Sequence, residues 1–256
     1  MEDLIKVLGV KINKITFDGA VEKIKGFLED KDSSKPKAIY TPNTEMVMLA
    51  KKDENIKGIL NKGDMLIADG IGIVYASRIK KNSLPERVTG FDISVEMLKL
   101  ANEMGYKVFL LGGQKGIAET ASKKIREKYP NINICGYNHG FFKGAHIGHS
   151  GHEEEQKVID KINKSKADIL FVGLGAPKQE IWINENKEKL NCKVMIGNGG
   201  TIDILSGNVK LAPKIYRKMG LEWFYRLMKD PKRIKRQIVL PIFVLMVLFS
   251  REKIVE

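Results

Sequence analysis

The amino-acid sequence predicts an α/β fold, a mostly parallel sheet flanked by helices, extended at its C-terminus by a helical appendage that is both basic and apolar. Three observations carry this reading. Short apolar runs alternate with amphipathic stretches up to residue 201; a parallel sheet covered on both faces needs that order, because its strands are buried on both sides and its crossovers on one. At 256 residues the chain can bury one α/β core with a small addition, but hardly two large independent domains. Near Ile202 apolar, aromatic and basic residues become interleaved, which divides the chain into a core over 1–201 and an appendage over 202–256.

In chain order, Phe17, Ala20, Val21, Ile24, Phe27 and Leu28 recur at helical spacing, with Thr16 or Asp18 as the cap. Ala38-Ile39-Tyr40 is a short strand that ends at Thr41-Pro42-Asn43, since proline cannot sit inside a strand ladder. Met46, Val47, Leu49 and Ala50 then supply the apolar face of a helix over 44–52. Met65-Leu66-Ile67-Ala68 predicts another buried strand, stopped by Asp69-Gly70 before a helix over 71–79. A helix over 93–104 closes at Gly105 and leads into a strand over 106–111, and Gly112-Gly113 turns the chain into a helix over 117–128. Residues 131–136 give a strand, 158–164 a helix, and 168–172 and 193–196 two further strand cores, a Rossmann-like alternation. The run from Ile238 to Phe249 has 12 apolar or proline residues, too few for an ordinary spanning helix of about 20. It is either a core helix, apolar all round, or a segment entering an anionic membrane interface; the adjoining Lys232, Arg233, Lys235 and Arg236 favour the interface.

The net charge of +13 is concentrated at one end, with 12 Lys or Arg against 4 Asp or Glu from Val209 onward. Such a segment faces nucleic acid, an anionic bilayer or a phosphorylated ligand. Nucleic acid would need a continuous basic path, for which the apolar terminal run has no use. Cys135 and Cys192 form no C-x-x-C pair, so a reducing compartment is expected. Residues 1–14 carry charges through their apolar positions and lack a signal-peptide core, so no export is expected.

Ligands of α/β folds lie beyond the carboxyl ends of the strands. That position singles out Thr41, Asn43, Asp69 and the segment from Gly173 to Glu180. Asp69 is either a site carboxylate or a helix cap. Gly173-x-Gly175 and Gly112-Gly113-x-x-Gly116 follow strands but match neither the dinucleotide fingerprint nor the P-loop, which weakens an oxidoreductase or ATP-binding reading. Gln179 offers an amide to a sugar or uracil edge, whereas Trp182, between Ile181 and Ile183, reads as packing. Arg87 can fork onto a diphosphate or pair with Glu86 or Asp92. Arg226, Lys229, Arg233 and Arg236 would share one helical face, although Pro231 predicts an interruption. All four histidines, His139, His146, His149 and His152, fall in one glycine-rich stretch whose spacing is no standard zinc motif, and an adaptable loop without metal is expected there.

Five segments taken together, Thr41-Pro42-Asn43-Thr44-Glu45-Met46, Ala68-Asp69-Gly70, Glu86-Arg87-Val88-Thr89-Gly90-Phe91-Asp92, Gly173-Leu174-Gly175-Ala176-Pro177-Lys178-Gln179-Glu180, and Leu221-Glu222-Trp223-Phe224-Tyr225-Arg226-Leu227 with Pro231-x-Arg233, resemble the WecG/TagA/CpsF family of bacterial glycosyltransferases, in particular its wall teichoic acid branch. The likeness runs over nearly the whole chain. It implies inverting transfer of N-acetylmannosamine from its UDP derivative to C4 of N-acetylglucosamine on undecaprenyl diphosphate, without a cofactor or bound metal. It also implies Asp69 as general base, Thr41 and Asn43 around the sugar, Arg87 and Gln179 on donor or acceptor groups, and Arg226, Arg233 and Arg236 near the diphosphate. A peripheral position on the cytoplasmic face of the membrane and a homo-oligomer follow from the same likeness. Asn198-Gly199-Gly200-Thr201-Ile202-Asp203 departs from the family's commoner Gly-Gly-x-Phe-Asp pattern. The reading outside this class is a basic module that binds membrane or nucleic acid without transferase activity.

Overall fold

A computed structural model of the chain describes residues 3–30, 35–79, 81–234 and 238–250. It opens with an antiparallel hairpin, β1 (Leu4–Val7) and β2 (Val10–Asn13), turned by Leu8 and Gly9 at positive φ. The central sheet comprises β3 (Lys37–Tyr40), β4 (Met65–Leu66), β5 (Lys107–Gly112), β6 (Asn133–Asn138), β7 (Ile169–Gly173) and β8 (Val194–Gly197). All six are parallel, in the order β4-β3-β8-β7-β5-β6. The expected α/β class with a parallel sheet is therefore what the chain adopts.

Side chains alternate between the two faces of this sheet with the period of two that a strand imposes. Tyr40, Phe109, Leu111, Leu170, Val172 and Met195 pack in one layer with β1, β2, α2 (Thr44–Lys52), α3 (Glu54–Asn61) and α4 (Ile71–Ile79). Ile39, Val108, Leu110, Phe171, Val194 and Ile196 pack on the other against α1 (Phe17–Glu29), α5 (Gly90–Met104) and α6 (Ile117–Lys128). Thr16 caps α1, its Oγ1 accepting from Gly19 N at 3.1 Å. Thr89 caps α5 through Asp92 N at 3.0 Å, and Gly105 ends that helix in the left-handed conformation. The predicted strand over 65–68 is shorter in the structure. Only Met65–Leu66 pairs as strand, although Ile67 N still donates to Tyr40 O and Asp69 N to Pro42 O, keeping the chain alongside β3 as far as Asp69.

The hairpin and α3 are among the elements not foreseen. In the hairpin, Ile5, Val7, Val10 and Ile12 all point into the core, an alternation hidden by its intervening lysines. Helix α3 follows α2 with only Asp53 between them; that residue ends one helix and caps the next, accepting from Asn55 N and Ile56 N. Helix α7 (Glu153–Ser165) begins five residues earlier than its apolar pattern because His152 Nδ1 caps it and three glutamates occupy its first turn.

The chain finishes through α8 (Lys178–Asn186), α9 (Thr201–Leu205), α10 (Lys214–Lys218), α11 (Glu222–Lys229) and α12 (Val239–Phe249), of which α8 precedes β8. Helix α11 stops at Asp230, and Pro231–Arg233 forms a separate 3-10 turn, so the basic helical face is broken where Pro231 predicts. Helix α12 is neither wholly buried nor wholly exposed. Phe243 and Val247, one turn apart, are buried against the layer containing α2 and α4, while Ile238, Ile242, Leu245, Leu248 and Phe249 stay exposed. Among the described residues no helix is long and apolar enough to cross a membrane.

Candidate functional site

The carboxyl ends of β3, β5, β7 and β8 open into one edge of the molecule, where three cavities share walls. Chain paths crowd closely at the base of this edge. A Cβ on Gly112 would lie 2.4 Å from Gly173 O, and one on Gly173 would lie 2.8 Å from Gly199 O, so these glycines are needed for the strand ends to converge.

The largest cavity, about 660 Å³, lies over β5 and β7 and takes in Gly113, Gly140, Phe142, His146, Lys178 and Asp203 among its walls. A central cavity of about 270 Å³ shares Gly175, Gly199 and Gly200 with it. A third, about 140 Å³, shares Asn43, Asp69, Glu222 and Arg226 with the central one and adds Ile71, Arg87, Trp223 and Leu240. Asp69 thus stands where the second and third cavities meet.

Its placement follows from local structure. The apolar run before it is buried beside β3, and the chain then breaks at Gly70, where a Cβ would press on the backbone of Asn43 and Thr44. Asp69 Oδ1 accepts from Gly90 N at 3.2 Å, the first residue of α5, rather than serving the helix that follows it in sequence. Burial pushes the Asp69 carboxyl above the ordinary value; Arg87, the Gly90 N–H and Arg226 pull it down and Glu222 adds to the rise, with burial prevailing.

The expected site residues gather here as far as they are described. Thr41 and Asn43 line the central cavity, but each also does structural work: Thr41 Oγ1 donates to Gly197 O at 2.9 Å, tying β3 to β8, and Asn43 Oδ1 caps α2 through Met46 N at 3.0 Å. Gln179 lines the same cavity and is buried; its Oε1 accepts from Gly199 N at 3.0 Å and its Nε2 donates to Glu180 at 2.9 Å. The amide therefore holds the glycine loop after β8. Arg87 pairs with neither Glu86 nor Asp92. It donates to Glu222 Oε1 at 3.0 Å, linking the core to α11, while Glu86 accepts from Phe17 N and Asp92 accepts from Arg217 at 3.2 Å. Arg226 borders both smaller cavities. For Arg233 only the backbone, in the 3-10 turn, is described, and Arg236 lies outside the described residues.

Three further residues of the cleft were given no individual role by the sequence reading. Glu180, Asn198 and Arg217 all line the central cavity, and each has an enclosed polar atom without a partner: Glu180 Oε2, Asn198 Oδ1 and Arg217 Nε. Enclosed polar atoms are nearly always hydrogen-bonded, and these three leave hydrogen-bonding capacity unmet on residues that line one cavity. Glu180 lay inside a singled-out segment, but its burial could not be read from its neighbours in sequence.

Burial pushes the Glu180 carboxyl from 4.5 up to about 7, against the Gln179 amide and a backbone N–H that favour the ionised form. The folded state then binds the proton more tightly than the unfolded chain, so stability falls as pH rises through this window and levels off above it. Glu180→Gln is expected to flatten that part of the Tm–pH curve, and to melt above wild type at about pH 8 but not at about pH 5, as followed by circular dichroism.

The histidine-rich stretch is tied down rather than loose. The buried Glu155 carboxylate accepts from Ala145 N at 2.8 Å, Gly151 N at 2.8 Å and Asn186 Nδ2 at 3.0 Å. His139 Nδ1 accepts from Phe141 N, and His149 and His152 stack edge to face. Among the described residues no three His, Cys, Asp or Glu side chains form a metal-binding group.

The sequence model described as "Glycosyl transferase WecG/TagA/CpsF family" matches residues 5–254. Curated proteins from Staphylococcus aureus strains MRSA252, MW2 and NCTC 8325 / PS 47 are each 35% identical to this chain over 250 residues, covering 98% of it and 94% of their own length. All three are named N-acetylglucosaminyldiphosphoundecaprenol N-acetyl-beta-D-mannosaminyltransferase.

Proposed function

The chain belongs to the WecG/TagA/CpsF glycosyl transferase family, and from that premise we propose that it transfers N-acetylmannosamine from UDP-N-acetylmannosamine to C4 of N-acetylglucosamine on undecaprenyl diphosphate, with inversion, as a step of wall teichoic acid linkage-unit synthesis. The observation that carries this reading is the order of the cavities. A large glycine-walled cavity, a central cavity with orphaned polar atoms and a small cavity whose walls mix arginines (Arg87, Arg226), acidic side chains (Glu45, Glu222) and apolar ones follow one another, and Asp69 lies at the second junction.

In that order the large cavity takes the nucleotide, with Lys178 as a cation beside it. The central cavity takes the sugar, and the small one takes the acceptor's diphosphate beside Arg87, with Ile71, Trp223 and Leu240 facing the start of its lipid. The acceptor hydroxyl attacks the anomeric carbon from the face opposite UDP. A carbon–oxygen bond forms there as the bond to the UDP oxygen breaks, and the hydroxyl proton passes to the Asp69 carboxylate. The raised pKa of Asp69 makes it a stronger base than an exposed aspartate, while Arg226 meets the charge that grows on departing UDP.

A peripheral position on the cytoplasmic membrane face is part of the proposal. Its support is the bare stripe of Ile242, Leu245, Leu248 and Phe249 on α12 with Ile238 just before it, together with exposed Lys229 and Lys232. A basic segment with an apolar face is drawn to an anionic bilayer. Homo-oligomer formation on that surface belongs to the same proposal.

The test presents the lipid-linked N-acetylglucosamine acceptor in anionic vesicles with UDP-N-acetylmannosamine or UDP-N-acetylglucosamine, and identifies the product by mass spectrometry and NMR. A β-1,4-linked N-acetylmannosaminyl product, with the protein sedimenting with the vesicles, is the expected result. Exclusive use of the gluco donor would overturn the sugar assignment, and full turnover on a detergent-free, water-soluble acceptor without vesicle binding would overturn the membrane assignment.

A further inference from the structure

One buried side chain of the large cavity has no part in the reaction outlined above. His146 is 7% exposed, sits in the 3-10 turn Ala145–Ile147, and lines that cavity. Its ring leans on Phe142, with centroids 4.7 Å apart, and Phe142 in turn meets Trp182 edge to face. Its Nδ1 is enclosed and has no hydrogen-bond partner.

An unpaired buried nitrogen is costly, and the simplest relief would be for the ring to swing out to water. The turn opposes that. Ile147 N donates to Gly144 O and Gly148 N to Ala145 O, and Glu155 holds Ala145 and Gly151 from below. The imidazole is therefore kept in place with a vacant nitrogen. His139 and His152, by contrast, use Nδ1 to accept from neighbouring backbone N–H groups.

Which part of a nucleotide would meet this ring follows from the shared walls. The diphosphate must lie near Gly175, Gly199 and Gly200, because there the large cavity adjoins the central one and Asp69 beyond it. Phe141, Phe142, His146 and Ile147 belong to the large cavity alone. They offer apolar walls in which His146 is the buried polar group, with Gln114, Lys143 and Glu154 also on the cavity's lining, an arrangement that suits a nucleobase.

We propose that His146 is a base-recognition residue for the donor, its ring hydrogen-bonding the polar edge of uracil against the Phe141–Phe142 wall. This rests on the assignment of the large cavity to the nucleotide. Burial lowers the His146 pKa and nearby Lys178 acts the same way, against Glu155, so the ring is neutral near pH 7 and carries one donor and one acceptor. Uracil offers carbonyl acceptors and an N–H donor on the edge it presents.

The test measures Kd by calorimetry for UDP and for ribose 5-diphosphate, which has no base, on the full chain and three variants. His146→Phe keeps a ring against Phe142 and removes the nitrogens; it is expected to weaken UDP roughly tenfold, the scale of one buried hydrogen bond, and to leave ribose 5-diphosphate unchanged. His146→Gln, which restores a donor and an acceptor, is expected to recover part of the loss. Equal weakening of both ligands by His146→Phe would show a loop defect and overturn base recognition. Unchanged UDP binding in His146→Phe, with weakened binding in Lys178→Ala, would overturn the role of His146 and leave the nucleotide cavity standing. If neither His146→Phe nor Lys178→Ala alters UDP binding, the nucleotide assignment itself falls.

Discussion

Asp69→Asn is expected to lower turnover by about 10²–10⁴-fold, the usual contribution of a general base, while UDP-sugar binding stays near wild type. The amide is nearly isosteric and can still accept from Gly90 N through its oxygen, so the start of α5 keeps its partner. What the variant loses is the ability to take the acceptor proton. Steady-state UDP release with the lipid-linked acceptor, together with calorimetric UDP affinity, separates the two effects; turnover within tenfold of wild type would remove Asp69 from the role of base. The pH profile supplies a second check. Because burial raises the Asp69 pKa and the ionised form is the active one, activity should decline as pH falls through a value above the ordinary aspartate range of about 4.

Arg226→Ala is expected to lower turnover by about 10²–10³-fold, the scale observed when one preorganised donor to a developing charge is removed. Arg226 borders both smaller cavities and lowers the Asp69 pKa. Its removal therefore acts twice: the leaving diphosphate loses a cation, and the acid limb of the pH profile moves to higher pH. Arg226→Lys should return the limb toward its original position while recovering only part of the turnover, because an ammonium keeps the charge but cannot fork onto two oxygens. An unshifted limb in the alanine variant would separate Arg226 from Asp69.

Glu222 bears on both experiments. It holds Arg87 at 3.0 Å and raises the Asp69 pKa, so an acidic side chain of α11 occupies ground next to the place assigned to the acceptor diphosphate. Its position in the Leu221–Leu227 segment was visible in the sequence, but its partner, 135 residues away, was not. The sequence offered Arg87 two acidic neighbours, Glu86 and Asp92, and the fold engages each elsewhere, with Phe17 N and Arg217.

Most of the sheet was legible because a parallel strand buried on both faces must be a short unbroken apolar run, and Ala38–Tyr40, the core of β5 and the core of β8 are such runs. The hairpin over β1 and β2 was not, since each of its strands offers only two inward residues between charged ones, and α3 was not because Asp53 leaves no linker to announce a new helix. The apolar terminal run shows the same limit from the other side. Its composition marks it as unsuited to water on every face, yet only docking against α2 and α4 selects Phe243 and Val247 for burial and leaves the remaining stripe bare.

By itself the sequence determined the α/β class, the position of Asp69 beyond a strand end, and the set of motifs that identifies the family, because each of these is written in local order: runs of apolar residues, turns and short contiguous segments. Tertiary structure alone decided that Glu180, Asn198 and Arg217 leave polar atoms unpaired around one cavity, that Glu222 rather than a neighbour holds Arg87, and that His146 is buried with a vacant nitrogen. Those are statements about what surrounds an atom in space, and solvent exclusion and charge pairing act through distance, whatever the separation along the chain.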